Sequence, residues 1–309
     1  MAILDQIDHI VILMMENRSF DHALGYLSTP NHGRKDIEGV DLNRFNTFNG
    51  KTFPVIKLAA PTLRLAADPP HERPNISLQL GTQQNGVFPM DGFVKNLASV
   101  LPQFGAAPFV MGYWDEFGVP AFDFFAKNYV VCDHWFSAIP AGTQPNRLMA
   151  MSGETQIDLN ARILPKQDLV YDWLDRLGIR WRVYHDGEIP FMMLMEGWQL
   201  KILTSPKFKP FSRLSQDLMR EDPKTFPQVI FIEPTYTNAP HLAHANDDHA
   251  PSPISNGQNF MLQVYMALTS NPDRWKKTML VSATARLRPY NCAHNPVGQL
   301  VPCRRLALI

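Results

Sequence analysis

Three features that would point to a partner or a compartment are scarce in this chain. Its 309 residues include only three cysteines, Cys132, Cys292 and Cys303, with no CxxC spacing, which fits neither a disulfide framework nor a structural zinc site. Charge of one sign is also lacking: 29 Lys and Arg balance 29 Asp and Glu. The basic residues are scattered, so no basic face argues for nucleic acid or an anionic membrane surface. No apolar run approaches the roughly 18 to 20 residues of a membrane span, and the first residues lack the flanks of a secretory signal. As written, the chain opens directly in its first strand, and the expected location is the cytoplasm. The most local absence is at the end. From Ser282 onward there is no Asp or Glu, while four arginines and two of the three cysteines fall there.

What is present suffices for a sizeable core, with 45% of residues hydrophobic. Short Val- and Ile-rich runs at 10–14, 129–132, 180–184, 229–232 and 278–281 read as strands buried on both faces. Between them, 169–177 and 260–268 carry apolar residues at helical spacing. This alternation predicts a three-layer α/β sandwich with a mostly parallel central sheet. Residues 30–120, rich in Pro, Gly and Asn, read as an insertion of loops and short helices that covers the ligand-binding edge of the sheet.

The opening DHIVILMMENRSFDH runs an apolar strand into a polar turn, so Glu16 and Asn17 fall at that edge. A carboxylate and an amide oxygen are donors a divalent cation accepts while it holds phosphate. The alternative is a plain helix start, with Ser19 and Asp21 as caps. In CDHWFSAIPAGTQPNRLMAMSG, Pro145 suits the first turn of a helix and puts Thr143 at its N-terminus. Backbone N–H groups there bind phosphate oxygens, and a cation beside Thr143 would activate its hydroxyl. Asn146 and Arg147 are candidates to hold the nonbridging oxygens. The alternative is an ordinary Thr cap with a solvated Arg.

Histidines recur in DPPHERP (His71), VYHDG (His185) and NAPHLAHANDDHAPS (His241, His244, His249). Near a phosphate, a histidine neutralises charge or protonates the leaving oxygen. Asp247 and Asp248 read either as ligands or as loop residues ahead of a helix. The prolines around His241, His244 and His249 argue against a separate metal site there.

The ENRSFDH turn, the GTQPNR loop and the NDDHAP segment, in this order, resemble the phosphoesterase family of bacterial phospholipases C and related acid phosphatases. MGYWDEFGVPAFDFFAKNYVVCDHWF looks like the same family, and the likeness spans about residues 7–281. The resemblance implies an alkaline-phosphatase-like core and hydrolysis of phosphate esters, including phospholipid head groups, through a phosphorylated hydroxyl. By position, Glu16 and Asn17 would bind a divalent metal ion, Thr143 would be the nucleophile, and His71 and His249 would contact the phosphate.

The pattern breaks where the family continues with an acidic TYDE-like motif, since this chain reads SATARLRPYNC. Residues 1–281 thus read as an incomplete phosphoesterase domain and 282–309 as an aberrant, out-of-frame tail. A short member with a rebuilt tail is the alternative. Weak metal binding and low turnover are expected, with a noncatalytic phosphate-binding product as the rival. Sulfate-ester hydrolysis is disfavoured because the nucleophile loop has no cysteine.

Overall fold

The computed structural model describes residues 6–59, 64–236, 245–285 and 306–308. The strands are β1 (His9–Glu16), β2 (Phe45–Phe48), β3 (Lys51–Pro54), β4 (Ile56–Lys57), β5 (Gly112–Tyr113), β6 (Trp181–His185), β7 (Phe208–Pro210), β8 (Val229–Glu233), β9 (Thr278–Ala285) and β10 (Leu306–Leu308). The α-helices begin with α1 (Phe20–Ala23), α2 (Arg73–Leu80), α3 (Phe93–Val100), α4 (Pro120–Asn128) and α5 (Thr143–Ser152). They continue with α6 (Val170–Arg176), α7 (Gln199–Thr204), α8 (Leu214–Arg220), α9 (Ile254–Thr269) and α10 (Pro272–Trp275).

The main sheet runs β10-β9-β1-β8-β6-β7, parallel except for β10. Its inner strands are mostly apolar because both faces are covered. Val11, Leu13, Met15, Ile230 and Ile232 pack into one core with α4, α8 and α9. Trp181, Val183 and Phe231 face a second core built with α5 and α6. Helix, sheet and helix make the expected three-layer α/β sandwich.

Of the five runs read as strands, four enter this sheet. The run at 129–132 does not: Tyr129 ends α4, and Val130 is 61% exposed. The Tyr129 hydroxyl donates to that of Tyr265 on α9, which ties the run to the helix layer. The strand expected at 278–281 extends to Ala285, pairing Ala285 with Glu16. The insertion carries more order than loops and short helices, because β2 and β3 form a hairpin. Asn49 (φ 49°) and Gly50 (φ 72°) make its turn, and Asn-Gly supplies both positive angles at low cost.

Next to β6 and β7, one ion network pins α8 to the sheet. Asp217 accepts from Lys209 Nζ (2.7 Å), the Tyr184 hydroxyl (2.9 Å) and Arg182 (3.3 Å), and Arg182 also grips Glu221 (2.8 Å). Burial raises the pKa of both carboxyls, but the bonds from Lys209, Tyr184 and Arg182 outweigh it and hold both below the ordinary range. Groups with lowered folded pKa contribute stability above the unfolded value and lose it as pH falls through the folded one. Asp217→Ala is expected to cost about 3 kcal/mol in urea unfolding at pH 7. The difference between the two proteins should shrink below about pH 4.

Candidate active site at the carboxyl edge of the sheet

The carboxyl ends of β1 and β8 bring Glu16 and Glu233 to one edge, both about 95% buried. Chain direction reverses right after Glu16, where Asn17 takes φ 47°, a conformation asparagine tolerates better than most residues. Ser19 then caps α1, its hydroxyl accepting from the His22 N–H. The capping reading therefore holds for Ser19. Glu16 is turned inward instead.

Its carboxylate is bracketed by Arg147 and His249. Arg147 Nε donates to Oε1 at 3.1 Å, and His249 Nδ1 meets Oε2 at 3.2 Å. Burial would raise the Glu16 pKa, but Arg147 and His249 more than offset it and hold the group below its usual range. Arg147 also donates to the Met14 carbonyl at 3.0 Å and stacks between the rings of Phe191 and Tyr236. His249 is held at its other nitrogen, Nε2, by Asp68 Oδ2 at 3.1 Å. Burial lowers an imidazole's pKa, yet the bonds to Asp68 and Glu16 win and push His249 up to about 10.

Thr143 is the first residue of α5, and Gly142 rather than Thr143 is the N-cap. The Thr143 hydroxyl is buried with no hydrogen-bond partner among the described residues. One helical turn later stands Arg147, so the face of α5 that carries Thr143 is the one docked on β1. Space is tight before it: a Cβ on Gly142 would lie 3.0 Å from Glu72 Oε2 and 3.2 Å from Asn160 Oδ1, so those side chains would have to give way. Both those residues, with Asp68, His71, His249 and Pro251, line a cleft of about 470 Å³.

The geometry gives Asn146 and Arg147 work other than holding phosphate. The Asn146 amide donates to the carbonyls of Ile139, Ala141 and Gly142, fixing the loop ahead of α5. Arg147 is committed to β1. His185 lies at the end of β6 with Nδ1 on the Gly187 carbonyl, outside this cluster. His241 and His244, like Cys292 and Cys303, fall outside the described residues.

Sequence reading missed Asp68. It is a short side chain in a loop, three residues before His71 in DPPHERP, and only the chain's path shows that it contacts Asn17, His71 and His249. Asp248 is the other surprise. It sits at φ 72°, fully buried, with neither carboxylate oxygen hydrogen-bonded among the described residues. Burial, only partly opposed by Arg18, raises its pKa to about 8.

Among the described residues, two groups of side chains could hold a metal ion. Glu16, Asp247 and His249 each offer a ligand atom within 4.8 Å of the others, and Asp68, His71 and His249 form a second such set. Buried carboxylates with an imidazole are a donor set that fits a divalent cation. β9, next to β1, ends in Ala283-Thr284-Ala285 and adds no carboxylate.

Comparison with known proteins matches this frame. The model of the Phosphoesterase family covers residues 7–283. Non-specific phospholipase C6 of Arabidopsis thaliana is 31% identical over 282 residues, covering 88% of this chain and 51% of that protein. Non-hemolytic phospholipase C of Burkholderia pseudomallei is 26% identical over 327 residues, covering 89% of this chain and 43% of the relative. Phospholipase C B of Mycobacterium tuberculosis is 26% identical over 328 residues, covering 90% and 58%. The chain spans about half the length of the curated relatives it matches. With the family model matching nearly its whole length, the chain belongs to the Phosphoesterase family.

Proposed function

We propose that this chain carries the site of a phosphoester hydrolase in which Thr143 is the nucleophile and a divalent cation is the cofactor. The observation that supports this best is the Thr143 hydroxyl, buried without a partner at the N-terminus of α5 and one turn from the Arg147 that docks on Glu16. A hydroxyl left unsatisfied in the interior is costly unless a ligand meets it.

Glu16, Asn17 and Asp247 would hold the cation, whose charge neutralises phosphate oxygens and favours the threonine alkoxide. Thr143 Oγ1 then bonds to phosphorus while the ester P–O bond breaks, and the alcohol departs with the proton that Thr143 gives up. The first N–H groups of α5 face the developing negative charge. His71 and His249 line the cleft where the phosphoryl group would rest. Water releases the phosphate and returns a proton to Thr143. Given the names of its relatives, we take a phospholipid as the substrate class.

A second reading is a protein that binds phosphate with little turnover. It is favoured by the end of β9, which brings Ala283-Thr284-Ala285 beside the end of β1, leaving the cation few protein oxygens. Hydrolysis of p-nitrophenyl phosphate and p-nitrophenyl phosphorylcholine separates the two. Turnover lost to a chelator and restored by Mn²⁺ is expected. Turnover indifferent to chelation overturns the cation's part, and phosphate binding without turnover favours the second reading.

A further inference from the structure

The carboxylate of Asp68 joins three parts of the site that are far apart in sequence. Its Oδ1 lies 3.2 Å from Asn17 Nδ2, and its Oδ2 lies 3.1 Å from His249 Nε2. His71 stands on the same side, with its Nδ1 3.5 Å from Asp68 Oδ1 and 2.9 Å from the Pro69 carbonyl. A carbonyl only accepts, so Nδ1 of His71 carries a proton. Asn17 Nδ2 lies 3.3 Å from Nε2 and 3.4 Å from Nδ1 of the same ring.

These contacts determine which way the Asn17 amide faces. An ionised carboxylate has no proton to donate, so the atom of Asn17 that meets it must be the NH₂ group. With its nitrogen turned to Asp68 and His71, the amide presents its oxygen on the opposite side. A cation is bound by that oxygen and repelled by the NH₂.

We propose that Asp68 is a positioning residue of the cation site, its two oxygens locking the Asn17 amide oxygen-outward and the His249 ring against Glu16. This rests on the reading of Glu16 and Asn17 as cation ligands. Both oxygens are used. An asparagine at position 68 has a single acceptor oxygen, so it cannot hold the Asn17 NH₂ and accept from His249 Nε2 at once.

The test is Mn²⁺ titration by calorimetry on the full chain, with melting temperature as control. Asp68 is partly exposed, so Asp68→Asn should fold and melt as the parent does. Its Mn²⁺ dissociation constant is expected to rise about 10- to 100-fold, the usual cost of losing a group that orients a ligand. Asn17→Asp supplies the diagnostic background, because a carboxylate presents oxygen whichever way it turns. There, adding Asp68→Asn should cost clearly less affinity than it does in the parent chain, since a carboxylate at position 17 needs no orienting and only the hold on His249 changes. Equal affinity in Asp68→Asn and the parent chain, or the same loss in both backgrounds, overturns the proposal and leaves the cation reading standing. A parent chain that binds no Mn²⁺ removes the cation reading and this inference with it.

Discussion

Replacing Thr143 with alanine is expected to lower phosphoester hydrolysis by roughly 10⁴-fold or more, to what the helix terminus and binding alone sustain. The fold should not notice. The hydroxyl has no partner among the described residues and Gly142 is the cap, so its removal breaks no bond. A capping threonine behaves differently, since losing its side chain costs about 1 kcal/mol. Thr143→Ala should therefore melt with the parent chain while losing activity, and Thr143→Ser should keep measurable turnover. A Thr143→Ala protein that hydrolyses p-nitrophenyl phosphate at the parent rate removes Thr143 from the chemistry.

The largest effect on stability is expected at Arg147. Its guanidinium is buried and bonded to Glu16 and the Met14 carbonyl, and it lies between the rings of Phe191 and Tyr236. A methionine there fills much of the volume but leaves Glu16 without its principal counter-charge, 5% exposed. Breaking such a buried pair from one side costs about 3–5 kcal/mol. Urea unfolding of Arg147→Met should show that loss. Adding Glu16→Gln should recover part of it, because a neutral amide needs no counter-ion. A loss below about 1 kcal/mol in the single variant would mean that the pair behaves like an exposed one.

The parts of the fold that sequence reading reached are those where burial acts on every residue of a segment. β1, β6, β8 and β9 lie inside a parallel sheet, so their apolar runs are nearly unbroken and easy to see. The run at 129–132 has the same composition and a different fate, since α4 already uses the preceding residues and the Tyr129–Tyr265 bond draws it to the helix layer. β7 escaped notice because three residues, Phe208–Pro210, carry no period. The hairpin at Asn49-Gly50 was legible in principle, as Asn-Gly between strand-forming residues is its usual mark.

The site divides along similar lines. Glu16 and Asn17 are visible because a strand's end fixes where the next residues stand, and Thr143 because Pro145 marks the first turn of its helix. What joins them is not local. Arg147 reaches Glu16 across 131 positions, and Asp68 reaches His249 across 181. Pairings of that kind depend on how the insertion folds back over the sheet edge, and no spacing in the chain encodes them. From its motif alone Arg147 is a candidate phosphate ligand, and only the fold shows its guanidinium on Glu16 and the Met14 carbonyl.

The most direct test of hydrolysis through Thr143 is to mix the protein with p-nitrophenyl phosphate and Mn²⁺, quench in acid and map the peptides by mass spectrometry. Phosphate on Thr143, absent from the Thr143→Ala protein, is the result predicted. Release of p-nitrophenol with Thr143 unmodified at every quench time, and undiminished in Thr143→Ala, would contradict it.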